Sequence, residues 1–161
     1  MGSARIALLA LSLLVAGCGT LQQQPEPASR GLGGHVELVR KPLDAASRRS
    51  LERARDALAR EEPAKARALL KSLGDAYAYD PEALLARAML ERMEGNRERA
   101  MSYYQRLLQV EPEHPSAAND LALLYRGAGR IEEATELLSR AVAQNPDRPR
   151  LHYNLAVLYE L

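Results

Sequence analysis

The sequence repeats itself every 34 residues, and no other feature restricts its possible folds as much. Pro81, Pro115 and Pro149 share one column at this spacing, and Pro112 and Pro146 share another. Gly95 aligns with Gly129, Ala100 with Ala134, Tyr104 with Leu138 and Leu107 with Ala141. Ala88, Ala122 and Ala156 form a further column, as do Tyr125 and Tyr159. A fixed period of this length with these residue types is the signature of a helix–turn–helix unit stacked on copies of itself. The alanines are small where two helices of a pair must approach, and larger neighbours such as Leu121 and Tyr125 fill the space beside them. Gly129 permits a backbone conformation that costs other residues free energy.

The array reads in order as repeats over 47–80, 81–114 and 115–148, with a single further helix over 149–161. The first repeat is the most divergent. Its helical pattern begins after Asp44, a suitable N-cap, with Leu51, Ala54 and Leu58 on one face. Ala66, Leu69, Leu70 and Leu73 form the face of its second helix, and Pro63 suits the first turn of that helix. Glu61 stands where the later repeats have the turn glycine, and Ala78 where they have the closing proline. In the second repeat, the first helix is expected to end near Gly95 and the second to stop before Pro112. Asn96 is expected to cap the second helix by accepting from its exposed backbone N–H groups.

The third repeat carries Leu121, Ala122, Tyr125, Gly129, Ala134, Leu138, Ala141 and Pro146 in consensus columns, and with them the chain resembles the tetratricopeptide repeat (TPR) family. The resemblance implies an all-α solenoid of about three repeats plus one helix over residues 44–161. The inner face of such a superhelix is lined by the first helix of each repeat. Carried over column by column, the peptide-binding groove falls on Glu82, Leu85, Met89 and Arg92 in the second repeat. In the third it falls on Ser116, Asn119, Leu123 and Arg126, and in the last helix on Arg150, Tyr153, Val157 and Glu160. Apolar groups interleaved with Arg92, Arg126 and Arg150 suit an extended or helical peptide of some acidic character. Packing of Leu85 and Leu123 against the neighbouring repeat is the competing reading for those two positions. The family members that clamp a terminal carboxylate use Lys and Asn at set columns. Only Asn154 and Arg150 have counterparts here, so that specialisation is not expected.

Residues 1–17 form a separate signal. Arg5 precedes the eleven-residue run Ile6 to Ala16, a secretory pattern that is too short to span a bilayer, which takes roughly 20 apolar residues. The sequence Leu14-Val15-Ala16-Gly17-Cys18 resembles the lipobox of bacterial lipoproteins. The resemblance implies cleavage before Cys18, lipid on its sulfur and amino group, and no other cofactor. Several acyl chains would anchor firmly, each buried methylene contributing roughly 0.8 kcal/mol. A cleaved signal followed by an ordinary cysteine, or an uncleaved short anchor, is the alternative. By the same resemblance, Gly19 where an Asp would imply retention in the inner membrane implies the outer membrane, with the array facing the periplasm. Residues 18–43, rich in Gln, Pro, Gly and Ser, read as a flexible tether whose last 25 residues reach roughly 80 Å at most and about 25–30 Å as a coil. A short extended piece around His35, Val36 and Leu38 docking on the first repeat is the other reading.

Composition closes several routes. Of 161 residues 47% are apolar, yet Phe and Trp are absent, so the core must be built from Ala, Leu and Val. Removing residues 1–17 takes away Arg5 and leaves 21 basic against 21 acidic residues, so a neutral mature chain gives no reason to propose nucleic acid, whose binding needs a net basic face. Cys18 is the single cysteine and excludes an intrachain disulfide. The histidines, His35, His114 and His152, share no metal-ligand spacing; His152 falls where the family often has Trp, so packing is its expected role. Glu61-Glu62 and Glu132-Glu133 read as solvated neighbours. Neither a catalytic constellation nor a glycine-rich phosphate loop is present, and an enzyme is not expected.

The helix from Leu151 to Leu161 is apolar on nearly every face, whereas the terminal unit of a repeat array needs a polar outer side. Either a partner helix lies beyond Leu161, or another molecule covers this face. Two functions follow. The first is a lipid-anchored periplasmic TPR scaffold that binds a protein or peptide partner in an envelope assembly, with pilus, secretin or peptidoglycan-related complexes the classes implied by resemblance. The second is a structural lipoprotein that self-associates through its last helix.

Overall fold

The structure, a computed structural model, describes residues 41–161. The leader, Cys18 and the tether up to Arg40 lie outside the described residues. Seven α-helices follow one another: α1 (Ala45–Ala59), α2 (Pro63–Ser72), α3 (Pro81–Met93), α4 (Arg97–Val110), α5 (Pro115–Gly127), α6 (Ile131–Gln144) and α7 (Pro149–Tyr159), with a 3-10 turn at Asp75–Tyr77. The described residues contain no strand. Helices pair as α1 with α2, α3 with α4 and α5 with α6, and each second helix also packs on the first helix of the next pair. This is the two-layer helical solenoid that the period predicts.

Three of the expected prolines set the helix starts. Pro81, Pro115 and Pro149 occupy the first turn of α3, α5 and α7, where the missing N–H has no intrahelical partner to lose. Asp44 caps α1 as expected, accepting from the Ser47 backbone N–H at 2.8 Å. Its other oxygen accepts from the buried Tyr77 hydroxyl at 3.0 Å, and the Ser47 amide followed by Tyr77 holds this carboxyl below the usual carboxylate range. Asp80 and His114, one repeat apart, cap α3 and α5 by accepting from the Ala83 and Ala117 amides. Asn96 departs from expectation. It precedes α4 but makes no side-chain cap, because its amide turns back and donates to the buried Glu91 carboxylate at 2.8 Å. A charged acceptor held out of water outcompetes a helix amide that solvent can reach.

The small columns explain how the pairs close. Ala54, Ala88 and Ala122, and opposite them Ala66, Ala100 and Ala134, are at most 1% exposed. A methyl group at each crossing lets the helix backbones approach, and the Leu and Tyr side chains fill the flanks. The core is divided at α3. Ala83, Ala86 and Leu90 join α1, α2 and the 3-10 turn in one cluster, whereas Leu84 and Ala88, on the opposite side of α3, join α4 to α7 in another. Leu43, assigned to the tether by composition, is half-buried against the first cluster.

The first repeat shows where its sequence left the columns. Helix α2 stops at Ser72, four residues short of the column at which α4 and α6 end, and Gly74 at φ 65° turns the chain into the 3-10 segment. Glu61 adopts φ 58°, close to the 77° of Gly95 and Gly129 in the same column. This left-handed conformation costs an L-residue roughly 1–2 kcal/mol, against roughly 0.5–1 kcal/mol of backbone entropy lost by glycine. Glu61→Gly is therefore expected to stabilise the first repeat by about 0.5–1 kcal/mol in urea unfolding. Gly129→Ala is expected to cost about 1 kcal/mol through the backbone alone, since a Cβ there meets nothing within 4 Å. An unchanged urea midpoint for both variants would show that these turns carry no strain.

Candidate protein-binding groove

The twelve groove positions do not form one uniform surface. Leu85 and Met89 on α3 are half-buried and line a cleft of about 500 Å³ against α1, whose wall carries Glu52, Arg55 and Asp56. Glu82 sits at the mouth of the neighbouring clefts, accepting from the Arg55 guanidinium at 3.1 Å. Both partners are well exposed, so this pair positions side chains more than it stabilises the fold.

Further along, a polar network links α4, α5 and α7. The Tyr104 side chain is completely buried, and its hydroxyl donates to Asp120 at 3.1 Å. Burial, and then the charge of Asp120, pushes the Tyr104 hydroxyl well above the usual phenol range, while Arg92 beside it acts the other way. Arg150 approaches Asp120 at 3.8 Å. Two of the expected groove arginines thus reach this network at different atoms, Arg92 at the Tyr104 hydroxyl and Arg150 at Asp120. Asn119 does not face a ligand: it is 2% exposed, donates to Asp120 at 2.9 Å and accepts from the buried Asn154 at 2.5 Å. A buried amide must find partners within the fold, and Asn154 on the next first-helix supplies one.

The remaining positions are open. Ser116, Glu160 and Tyr153 are exposed, Tyr153 by 70%. Leu123, Arg126 and Val157 are half-buried, and Arg126 has no ion-pair or hydrogen-bond partner among the described residues. Apolar groups on α5 and α7 and an unpaired cation on α5 thus remain open, while Arg92 and Arg150 are partly engaged.

Sequence reasoning missed Asp120 and Tyr104, on which the network depends, and the wall supplied by Glu52, Arg55 and Asp56. Extending the four groove columns to the first repeat would have reached Arg55. It would equally have selected Leu51 and Leu58, which are core residues at 1% and 4% exposure. His152, expected to pack, is instead exposed, with Nε2 2.8 Å from the Pro146 carbonyl oxygen, and His114 caps α5. Among the described residues no three His, Cys, Asp or Glu side chains converge as a metal site, and no helix is long and apolar enough to cross a membrane.

Two profiles described as tetratricopeptide repeat match the chain, one over residues 51–118 and the other over 91–158. No curated protein matches the sequence. Among solved structures, MamA is similar at 19% identity and TM-score 0.65, covering 71% of this chain and 67% of its own. The first TPR of Spaghetti (RPAP3), bound to the HSP90 peptide SRMEEVD, is similar at 15% identity and TM-score 0.65, covering 71% of this chain and 94% of its own. The Sgt2 TPR domain from Aspergillus fumigatus gives 19% identity and TM-score 0.65, covering 73% and 79%. At these identities the likeness is one of fold. With the 34-residue columns, the paired helices and two overlapping profiles in agreement, residues 51–158 are an array of tetratricopeptide repeats and the chain belongs to that family.

Proposed function

We propose that this chain is a lipid-anchored scaffold that holds a protein partner in a bacterial envelope assembly, gripping an acidic peptide segment in the groove of its repeat array. Arrays of this family generally serve protein–protein interaction. The observation that carries the choice of ligand is Arg126, an unpaired guanidinium one helical turn from the half-buried Leu123 on α5. A peptide with apolar side chains and a carboxylate satisfies both at once. Arg92, beside Tyr104, and Arg150, near Asp120, extend the positive surface. The peptide seen on the similar RPAP3 domain contains Glu and Asp residues, which agrees with this reading without identifying the partner. Cys18 carries the lipid, residues 19–40 supply reach, and the array faces the periplasm from the outer membrane. The chain performs no chemistry of its own.

The test is crosslinking and capture from membranes with the full lipidated chain. One envelope protein is expected to recur with the wild type and to fall at least tenfold, about 1.4 kcal/mol, with Arg126→Glu. Capture that is indifferent to Arg126→Glu and Arg92→Glu alike would remove the groove from the account. Separately, Cys18→Ala is expected to move the chain from the membrane to the soluble fraction; retention there would remove the lipid anchor.

A further inference from the structure

The cleft between α1 and α3 carries charge that no contact within the fold uses. Its floor is apolar, formed by the half-buried Leu85 and Met89 on α3. Glu52 and Asp56, both exposed on α1, stand on its wall. Neither carboxylate has a hydrogen-bond or ion-pair partner among the described residues. Arg55, the cation on the same wall, donates instead to Glu82 at 3.1 Å. Like charges four residues apart on a helix repel each other, and a cation set between them relieves both. Arg126 on α5 is the opposite case, a guanidinium left without an anion. Counted from 47, 81 and 115, Asp56, Met89 and Arg126 are the tenth, ninth and twelfth residues of their repeats. They therefore stand near one level on three successive first helices. Packed helices lie about 8–10 Å apart, so two such steps put the carboxylates and the guanidinium on the order of 20 Å from each other. An extended chain rises about 3.3 Å per residue, and roughly six residues span that distance.

We infer that the groove takes a bipolar extended peptide, its Lys or Arg set between Glu52 and Asp56 and its carboxylate on Arg126. An apolar side chain between the two rests on Leu85 and Met89, and about six residues separate the charges. This ligand rests on the groove reading above and adds to it a second pole of opposite sign. Charge complementarity selects it. A uniformly acidic segment long enough to reach α1 would meet like charge at Glu52 and Asp56. A segment confined to α5 would leave the apolar floor of the α1–α3 cleft unused. The two poles also fix which end of the peptide lies on the first repeat and which on the third, so the same contacts set its direction across the array.

The probe is a displayed library of random segments of about nine residues, selected on the full lipidated chain in detergent. Recovered segments are expected to pair Lys or Arg with Asp or Glu about five to seven residues away, enriched about threefold or more over the unselected library. Glu52→Gln combined with Asp56→Asn is expected to abolish the preference for the cation and keep that for the acid. Glu52→Lys combined with Asp56→Lys is expected to replace the cation by a second acid. Both positions are exposed, so circular dichroism is expected to show helicity retained in each variant. Acidic segments that Arg126→Glu abolishes, but that the Glu52 and Asp56 variants leave unchanged, would overturn the bipolar ligand and leave the groove reading standing. A second copy, or the chain before Lys41, filling the cleft would give that same result. No enrichment, or enrichment indifferent to Arg126→Glu, would overturn both.

Discussion

Ala122→Glu is expected to unfold the third repeat, whereas Ala156→Glu, one period later in the same column, is expected to change the stability of the dilute chain by no more than about 0.5 kcal/mol. Ala122 is 1% exposed at the crossing of α5 and α6, and Ala156 is exposed. Four extra heavy atoms at such a crossing cost about 1–3 kcal/mol in overpacking. A carboxylate without a partner there adds several kcal/mol more. A domain of this size has about 5–15 kcal/mol in total, so the first change consumes much or all of it. Circular dichroism melts of the two variants make the comparison. Similar losses at both sites would mean that the column, and not its burial, sets the tolerance.

Tyr104→Ala is expected to cost about 3–5 kcal/mol, the range for removing a large buried ring. Tyr104 is the largest fully buried side chain among the described residues, and its loss also strips Asp120 of a donor. Tyr104→Phe isolates the hydroxyl and is expected to cost about 1 kcal/mol at neutral pH. The pH dependence separates the two contributions. The Tyr104 hydroxyl titrates higher in the folded chain than in the unfolded one, so the folded state retains a proton that the unfolded state releases. The stabilisation is complete below the ordinary phenol value and is lost as pH rises through the raised one. Above about pH 10 the wild type should lose up to about 1.4 kcal/mol per pH unit from this group. Tyr104→Phe should lack that component of the alkaline slope; equal slopes would place the hydroxyl in contact with water.

Much of the fold was written in the period. Prolines at one column and glycines at another mark where helices start and turn, because those residues restrict or relax the backbone irrespective of tertiary context. The early end of α2 was less legible. Ala78 in place of proline signalled a change there, but Gly74, which makes the turn, sits in no repeated column. The cap at Asn96 was misread because Glu91, five residues earlier, competes for its amide. The groove was legible by column only while neighbouring first helices left each position open. Asn154 lies one position off the columns used, yet its amide takes Asn119 out of the groove. Such pairings depend on which side chains meet across two helices, and a period within one chain does not encode them.

The partition of the core at α3 also bears on how this chain responds to mutation. Residues of α1 and α2 bury their apolar surface with one side of α3, and those of α4 to α7 with the other. Stability in stacked repeats is close to a sum of local terms, so a substitution in the first cluster weakens α1 and α2 while leaving the second cluster packed. Repeat one can therefore accumulate changes such as Glu61 and Ala78 without dissolving the array. The third repeat, packed on both sides, has no such latitude. Tolerance of substitution is thus distributed by the architecture itself, greatest in α1 and α2 and least around α5.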